Sequence, residues 1–172
     1  MLDPAWPDRC PPEVLAVFAE FRTAETTTLA ADGTPVTWPL FPMFRRDRGM
    51  FQLTTSIGLP DKAFNIRRDP RVALLFSNPV GTALVDPPAV LIQGVASCPD
   101  ELATDFEPFR EDFIRLTRVQ PISRFYGLDP LSRRLVAWYF YRLVIDVVPQ
   151  RVRWWPHGDM TAEPHEMVLH GG

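Results

Sequence analysis

Thr54, Thr55 and Ser56, with Lys62 six positions beyond, form the stretch of this chain whose side chains are best suited to holding an anion. They lie within FQLTTSIGLPDKAFNIRRDPRVALLFS (Phe51 to Ser77), which reads as strand, hydroxyl-rich loop, short helix and strand. Gly58 and Pro60 punctuate the loop, and Asp61 reads as the N-cap of a helix running to about Arg68. Lys62 then sits in the first turn. A helix start offers unpaired backbone N–H groups and the positive end of the dipole, so three hydroxyls and one ammonium would complete a phosphate cradle. The alternative is that the hydroxyls make ordinary loop hydrogen bonds and that Lys62, Arg67, Arg68 and Arg71 form a solvated face.

Other chemistries find less support. No GxGxxG follows a strand, and neither GxxxxGK[ST] nor GxSxG occurs. His157, His165 and His170 are irregularly spaced near the end, and Cys10 and Cys98 lie far apart without a CxxC, so no metal set or Cys-His nucleophile is implied. No acid/base pair stands out. If the chain is an enzyme, a bound cofactor carries its chemistry and a small molecule is its substrate. A net charge of −3 and a pI near 5.6 argue against a nucleic-acid partner. No apolar run of about 18 residues is present to span a membrane, and Asp3, Pro4, Pro7 and Asp8 interrupt any secretion signal. A cytoplasmic protein with reduced thiols is expected. With 172 residues, 46% of them hydrophobic, the chain is expected to form one domain, with arms at 1–10 and 157–172.

The elements that must position the cradle follow from pattern. Val14, Leu15, Phe18 and Phe21 predict a helix over Pro12 to Arg22. Threonine-rich Ala24 to Ala30, the Asp32-Gly33 turn and a strand over Thr34 to Phe44 predict a hairpin. That second strand carries Val36, Trp38 and Leu40 on one face, with Thr37 and Pro39 on the other. Because Pro39 and Pro42 cannot donate to a ladder, it must bend, bulge or lie at an edge, where its backbone could face a planar ligand. Asp69-Pro70 ends the Lys62 helix, and Arg71 to Phe76 follows as a buried strand. Ser77 to Pro88 is loop. Ala89 to Cys98 is strand, with Gly94 marking a bulge or close approach and Gln93 as its one long polar side chain.

Asp100 to Val119 is helical by pattern, its Phe106, Phe109 and Phe113 stripe suiting a core or a subunit interface. Pro121 to Leu128 and Pro130 to Leu135 suit further short helices. Ala137 to Val148 is a long strand that Pro149 ends or bends, and Arg151 to Pro156 extends it. Trp154 and Trp155 alternate faces there, so one can be buried while the other covers a ligand or partner.

The run Lys62-x-x-Asn65-Ile66-Arg67-x-Asp69-Pro70-Arg71-Val72, after a helix, an Asp-Gly hairpin and a Thr-Thr-Ser segment, resembles the pyridoxamine 5'-phosphate oxidase-like, flavin-binding split-barrel proteins. The resemblance covers Ala24 to Cys98 best. It implies a mainly β fold, a six-stranded antiparallel Greek-key barrel with peripheral helices, and a homodimer with FMN or F420 at its interface. It also implies that Thr54, Thr55, Ser56 and Lys62 hold the cofactor phosphate, that Asn65 braces the loop, and that the Val36-Thr37-Trp38-Pro39 backbone faces the ring system. Trp154 or Trp155 would reach the partner's cofactor. Pyridoxamine 5'-phosphate oxidases proper carry an Arg-x-His motif near their end, where this chain reads Arg151-Val152-Arg153-Trp154, which argues against vitamin B6 oxidation and leaves FMN and F420 both open. A flavin- or deazaflavin-dependent oxidoreductase is the leading expectation, and a carrier of flavin, haem or another planar ligand without turnover is the alternative.

Overall fold

The computed structural model describes residues 4–103, 109, 112 and 141–169. Its strands are β1 (Ala24–Leu29), β2 (Pro35–Leu40), β3 (Met43–Arg45), β4 (Met50–Ser56), β5 (Arg71–Phe76), β6 (Ala89–Ser97), β7 (Leu102–Ala103), β8 (Arg142–Trp155) and β9 (His165–Val168). The α-helices whose bounds lie within the described residues are α1 (Pro12–Glu20) and α2 (Asp61–Arg68). All strand pairs are antiparallel, in the order β2-β1-β5-β6-β8-β4-β3, with β7 and β9 also on β8.

The ends of that path are close in the chain. β2 and β3 terminate opposite sides of the sheet, yet only Phe41 and Pro42 separate them. Two intervening residues span at most about 11 Å between the flanking Cα atoms, so the sheet must curl until its edges approach. Pro42 breaks the ladder at the corner. The result is a mainly β split barrel with six strands of six or more residues.

Alternation fills the barrel. Phe51 and Leu53 of β4, Leu74 and Phe76 of β5, Val90 and Ile92 of β6, and Ile145 and Val147 of β8 are all fully buried. α1 closes the packing with Val14, Val17 and Phe18, the Phe18 ring lying 5.0 Å from Phe51 and 5.4 Å from Phe76 between centroids. In β6, Gly94 lies opposite Pro149 while Gln93 lies opposite Arg151, so Gln150 is the extra residue of a bulge. A Cβ on Gly94 would stand 2.2 Å from the Val148 carbonyl oxygen. Pro149 therefore bends β8 without ending it.

Several expectations need correction. The amino-terminal stretch is no arm: Trp6 is fully buried and donates its indole N–H to the Gly49 carbonyl at 2.6 Å. Nor is the carboxy-terminal segment free, because His165–Val168 pairs with Arg151–Trp154 of β8, and Leu169 is buried. Leu102–Ala103, placed by periodicity in a helix, is the short strand β7. Cross-strand pairing overrode helical spacing there. Asp100 and Glu101 are not helical, whereas Asp112 is; the rest of that helix apart from Phe109, the two short helices after it, and residues 137–140 of the expected last strand lie outside the described residues. Among the described residues no helix is long and apolar enough to cross a membrane.

Candidate functional site

α2 presents an open helix start. Pro60 occupies the N-cap position and no side chain caps the helix, so Asp61 is its first helical residue and does not serve as the cap. The N–H groups of Ala63 and Phe64 donate to the Pro60 carbonyl at 2.8 and 3.1 Å. Those of Asp61 and Lys62 have no acceptor within the helix, which leaves two donors and the positive dipole end for an anion.

Lys62 lies in that first turn, only 4% exposed. Its Nζ stands 4.6 Å from the centroid of the Trp38 ring on β2, and no carboxylate forms an ion pair with it among the described residues. Burial holds its ammonium below the usual lysine value, an effect the neighbouring Asp61 carboxylate offsets only in part. A buried cation without an anionic partner is costly, and a bound anion would relieve that cost. The sequence carried a signal here beyond the motif: Lys62 is the only lysine in the chain, whose other basic residues are arginines.

The three hydroxyls are not a loop. Thr54, Thr55 and Ser56 are the last residues of β4 and pair with Val144, Leu143 and Arg142 of β8. Their side chains therefore alternate, Thr54 and Ser56 toward one face and Thr55 toward the other. Thr55 donates its hydroxyl proton to the Leu59 carbonyl at 2.8 Å and so braces the turn into α2. Ser56 Oγ accepts the Gly58 N–H at 3.2 Å, which leaves its own proton to donate. Thr54, whose hydroxyl has no hydrogen-bond partner among the described residues, Ser56, Lys62 and the open N–H groups are the parts of the expected cradle that retain binding capacity.

Asn65, one turn further along, is buried. Its Nδ2 donates to Thr28 Oγ1 on β1 at 3.0 Å, and its Oδ1 accepts from Arg68 at 2.9 Å. Arg68 also donates to the Leu29 carbonyl at 2.7 Å. These bonds fix the helix against β1, so Asn65 braces the helix that carries Lys62. Thr28, which the motif does not contain, completes the brace. Among the described residues β2 pairs only with β1, and its Thr37, Trp38 and Pro39 are exposed while Val36 is half-buried. The Val36–Pro39 segment is thus an edge backbone beside the Lys62 turn.

Trp154 and Trp155 lie elsewhere. Ser56 pairs with Arg142 at one end of β8 and the tryptophans end the other, about 40 Å apart along the strand. No contact joins either tryptophan to Lys62 among the described residues. Gln93 sits on the outer face of β6 with Leu91 and Val95, next to Ala73 and Leu75 of β5. Its buried Oε1 has no hydrogen-bond partner among the described residues.

These residues fit the phosphate end of a cofactor: an unpaired, nearly buried ammonium, a serine proton and two helix-start N–H groups converge in chain position, and all are donors.

No family model and no curated protein matches the chain. Solved structures do. A haem-binding protein from Mycobacterium smegmatis is similar over 91% of this chain and 56% of its own, with TM-score 0.56 and 16% identity. A pyridoxinephosphate oxidase-family protein from Clostridium acetobutylicum, related to general stress protein 26, aligns over 97% of this chain and 96% of its own, with TM-score 0.55 and 10% identity. An F420 reductase aligns over 83% of this chain and 98% of its own, with TM-score 0.53 and 17% identity.

Proposed function

We propose, from the split-barrel fold that this chain shares with pyridoxamine 5'-phosphate oxidase-like proteins, that it binds FMN or F420 and moves a hydride to or from a small organic substrate. The observation that carries this reading is Lys62: the sole lysine, nearly buried, unpaired and set in the first turn of an uncapped helix. When bound, a flavin or deazaflavin supplies the hydride chemistry at its ring. The chain's own part is binding and shielding. Lys62, Ser56 and the Asp61 and Lys62 N–H groups hold the phosphate, and Asn65 with Thr28 keeps their helix in place. The Val36–Pro39 edge backbone offers hydrogen-bonding groups to the ring edge, and Trp38 excludes water beside it.

The functional unit is a homodimer in this reading. Among the described residues neither Trp154 nor Trp155 contacts Lys62 or Ser56, and in this reading a second copy brings them to a cradle. The orphaned Gln93 oxygen, among half-buried Leu75, Leu91 and Val95, gives such a copy a surface with an acceptor to satisfy. The haem-binding neighbour supports a second reading, in which the barrel carries a planar ligand without turnover.

Separate titrations with FMN, F420 and haem, followed by absorption and sedimentation velocity, test these readings. Saturable FMN or F420 binding by a dimer, with ring reduction on substrate addition, is the expected result. Binding of haem alone would transfer the assignment to the carrier, and binding of none would remove both.

A further inference from the structure

The structure holds a cavity unrelated to the Lys62 turn. It has a volume of about 270 Å³ and lies between α1, the Leu84–Pro88 segment and the end of β8. Leu84, Pro87 and Pro88 supply apolar wall, and Trp154 supplies an aromatic surface held by its stack on His165, 5.4 Å between centroids with planes 18° apart. At the rim stand Glu13, Asp86 and His157.

Three observations give this cavity a chemical preference. First, Glu13 and Asp86 come from separate segments, and neither carboxylate forms an ion pair or side-chain hydrogen bond among the described residues. Uncompensated negative charge beside apolar wall favours a cation. Second, Trp154 offers a broad aromatic face on which a flat apolar group can stack. Third, Asp86 (φ 45°) and His157 (φ 56°) are the non-glycine residues with positive φ among the described residues, and both line this cavity. The two turns that carry them meet at this cavity and both contribute to its lining. The two loops approach closely, a Cβ on Gly158 coming within 3.7 Å of the Pro87 carbonyl oxygen.

We propose that this cavity binds a small organic cation, an amine joined to a flat apolar group, with the charge held by Glu13 and Asp86 and the flat group placed against Trp154. The volume limits the ligand to one ring and a short chain. The cavity lies at the opposite end of β8 from Ser56, and Trp154 is the one lining residue it shares with the dimer reading above.

Isothermal titration calorimetry of the full chain with phenethylamine, and with 2-phenylethanol as its neutral counterpart, tests it. Saturable binding of the amine, with the alcohol weaker by about tenfold or more, is expected from the charge that the two carboxylates hold. The Glu13→Gln/Asp86→Asn variant should bind the two alike. No amine binding, equal affinity for amine and alcohol in the unaltered chain, or discrimination that survives in the variant would overturn the proposal. The first comparison needs no variant, so a variant that misfolds does not shield it.

Discussion

Lys62 Nζ stands 4.6 Å from the centroid of the Trp38 ring, so the first turn of α2 and the edge strand β2 meet through a cation and an aromatic face. Such a contact contributes about 0.5–2 kcal/mol, less than a charge-assisted pair of ammonium and phosphate in a dry site. The arrangement therefore favours an incoming anion over the resident ring, and Trp38 becomes a reporter of that exchange.

Replacing the ammonium isolates its role. Lys62→Met should weaken FMN or F420 binding by about 10- to 100-fold, the equivalent of one charge-assisted hydrogen bond of roughly 1.5–3 kcal/mol. Lys62→Glu should abolish binding. The fold should persist in Lys62→Met, because removing an unpaired buried charge relieves a desolvation cost. Fluorescence titration and circular dichroism of the same samples check both halves. Unchanged affinity in Lys62→Met would return the residue to a structural role.

The lowered pKa of Lys62 gives a pH dependence whose sign is defined. Its folded value lies below the unfolded one, so between the two the unfolded chain binds more protons, and the ligand-free protein gains stability as pH rises through that window toward 10.5. Phosphate affinity runs the other way. It is full while Lys62 is protonated and declines as pH rises through the folded pKa. Reductive ¹³C-methylation followed by NMR would track this titration directly, since the chain has one lysine side chain. A cofactor should raise the observed pKa, and an unshifted value on saturation would separate Lys62 from the phosphate.

At Gly94, shape decides and charge plays no part. A methyl group there would meet the Val148 carbonyl oxygen at 2.2 Å, where the β8 bulge brings two backbones together. Gly94→Ala should cost about 3 kcal/mol or more, or prevent folding. Gly33, in the β1–β2 turn with φ 84°, has open space around its would-be Cβ, so Gly33→Ala should cost only about 1–2 kcal/mol of backbone strain. Urea unfolding of the two variants side by side reads the difference.

Gly94 and Gly33 were also legible in the sequence, as were α2 and β5, and an edge was one of the three outcomes that the prolines of β2 allowed. Each rests on local chemistry: a turn dipeptide, a proline that cannot donate, a residue restrained before Pro70. The hydroxyls misled because a Thr-Thr-Ser run suits a strand end as well as a loop, and only pairing with β8 distinguishes them. Asn65's partner Thr28 lies 37 positions away, a contact that no spacing rule supplies. The two termini failed for the same reason. Their prolines and polar residues look like connecting chain, while Trp6 and Leu169 reach the core through long-range packing.

Trp6 offers the sharpest test of that correction. Its ring is fully buried near Phe18 and Phe44, with centroids 6.1 and 5.9 Å away, and its N–H satisfies the Gly49 carbonyl. Gly49 itself is left-handed at φ 59° and ends the turn into β4, the strand that carries Ser56. Trp6→Phe should cost about 1–3 kcal/mol through the lost hydrogen bond and reduced packing, and Trp6→Ala about 3–5 kcal/mol. Deleting residues 1–10 should destabilise the barrel at least as much as Trp6→Ala. If the deletion left the unfolding midpoint in place, the segment would be the surface arm its composition suggests, and the order of β4 would rest on the barrel alone.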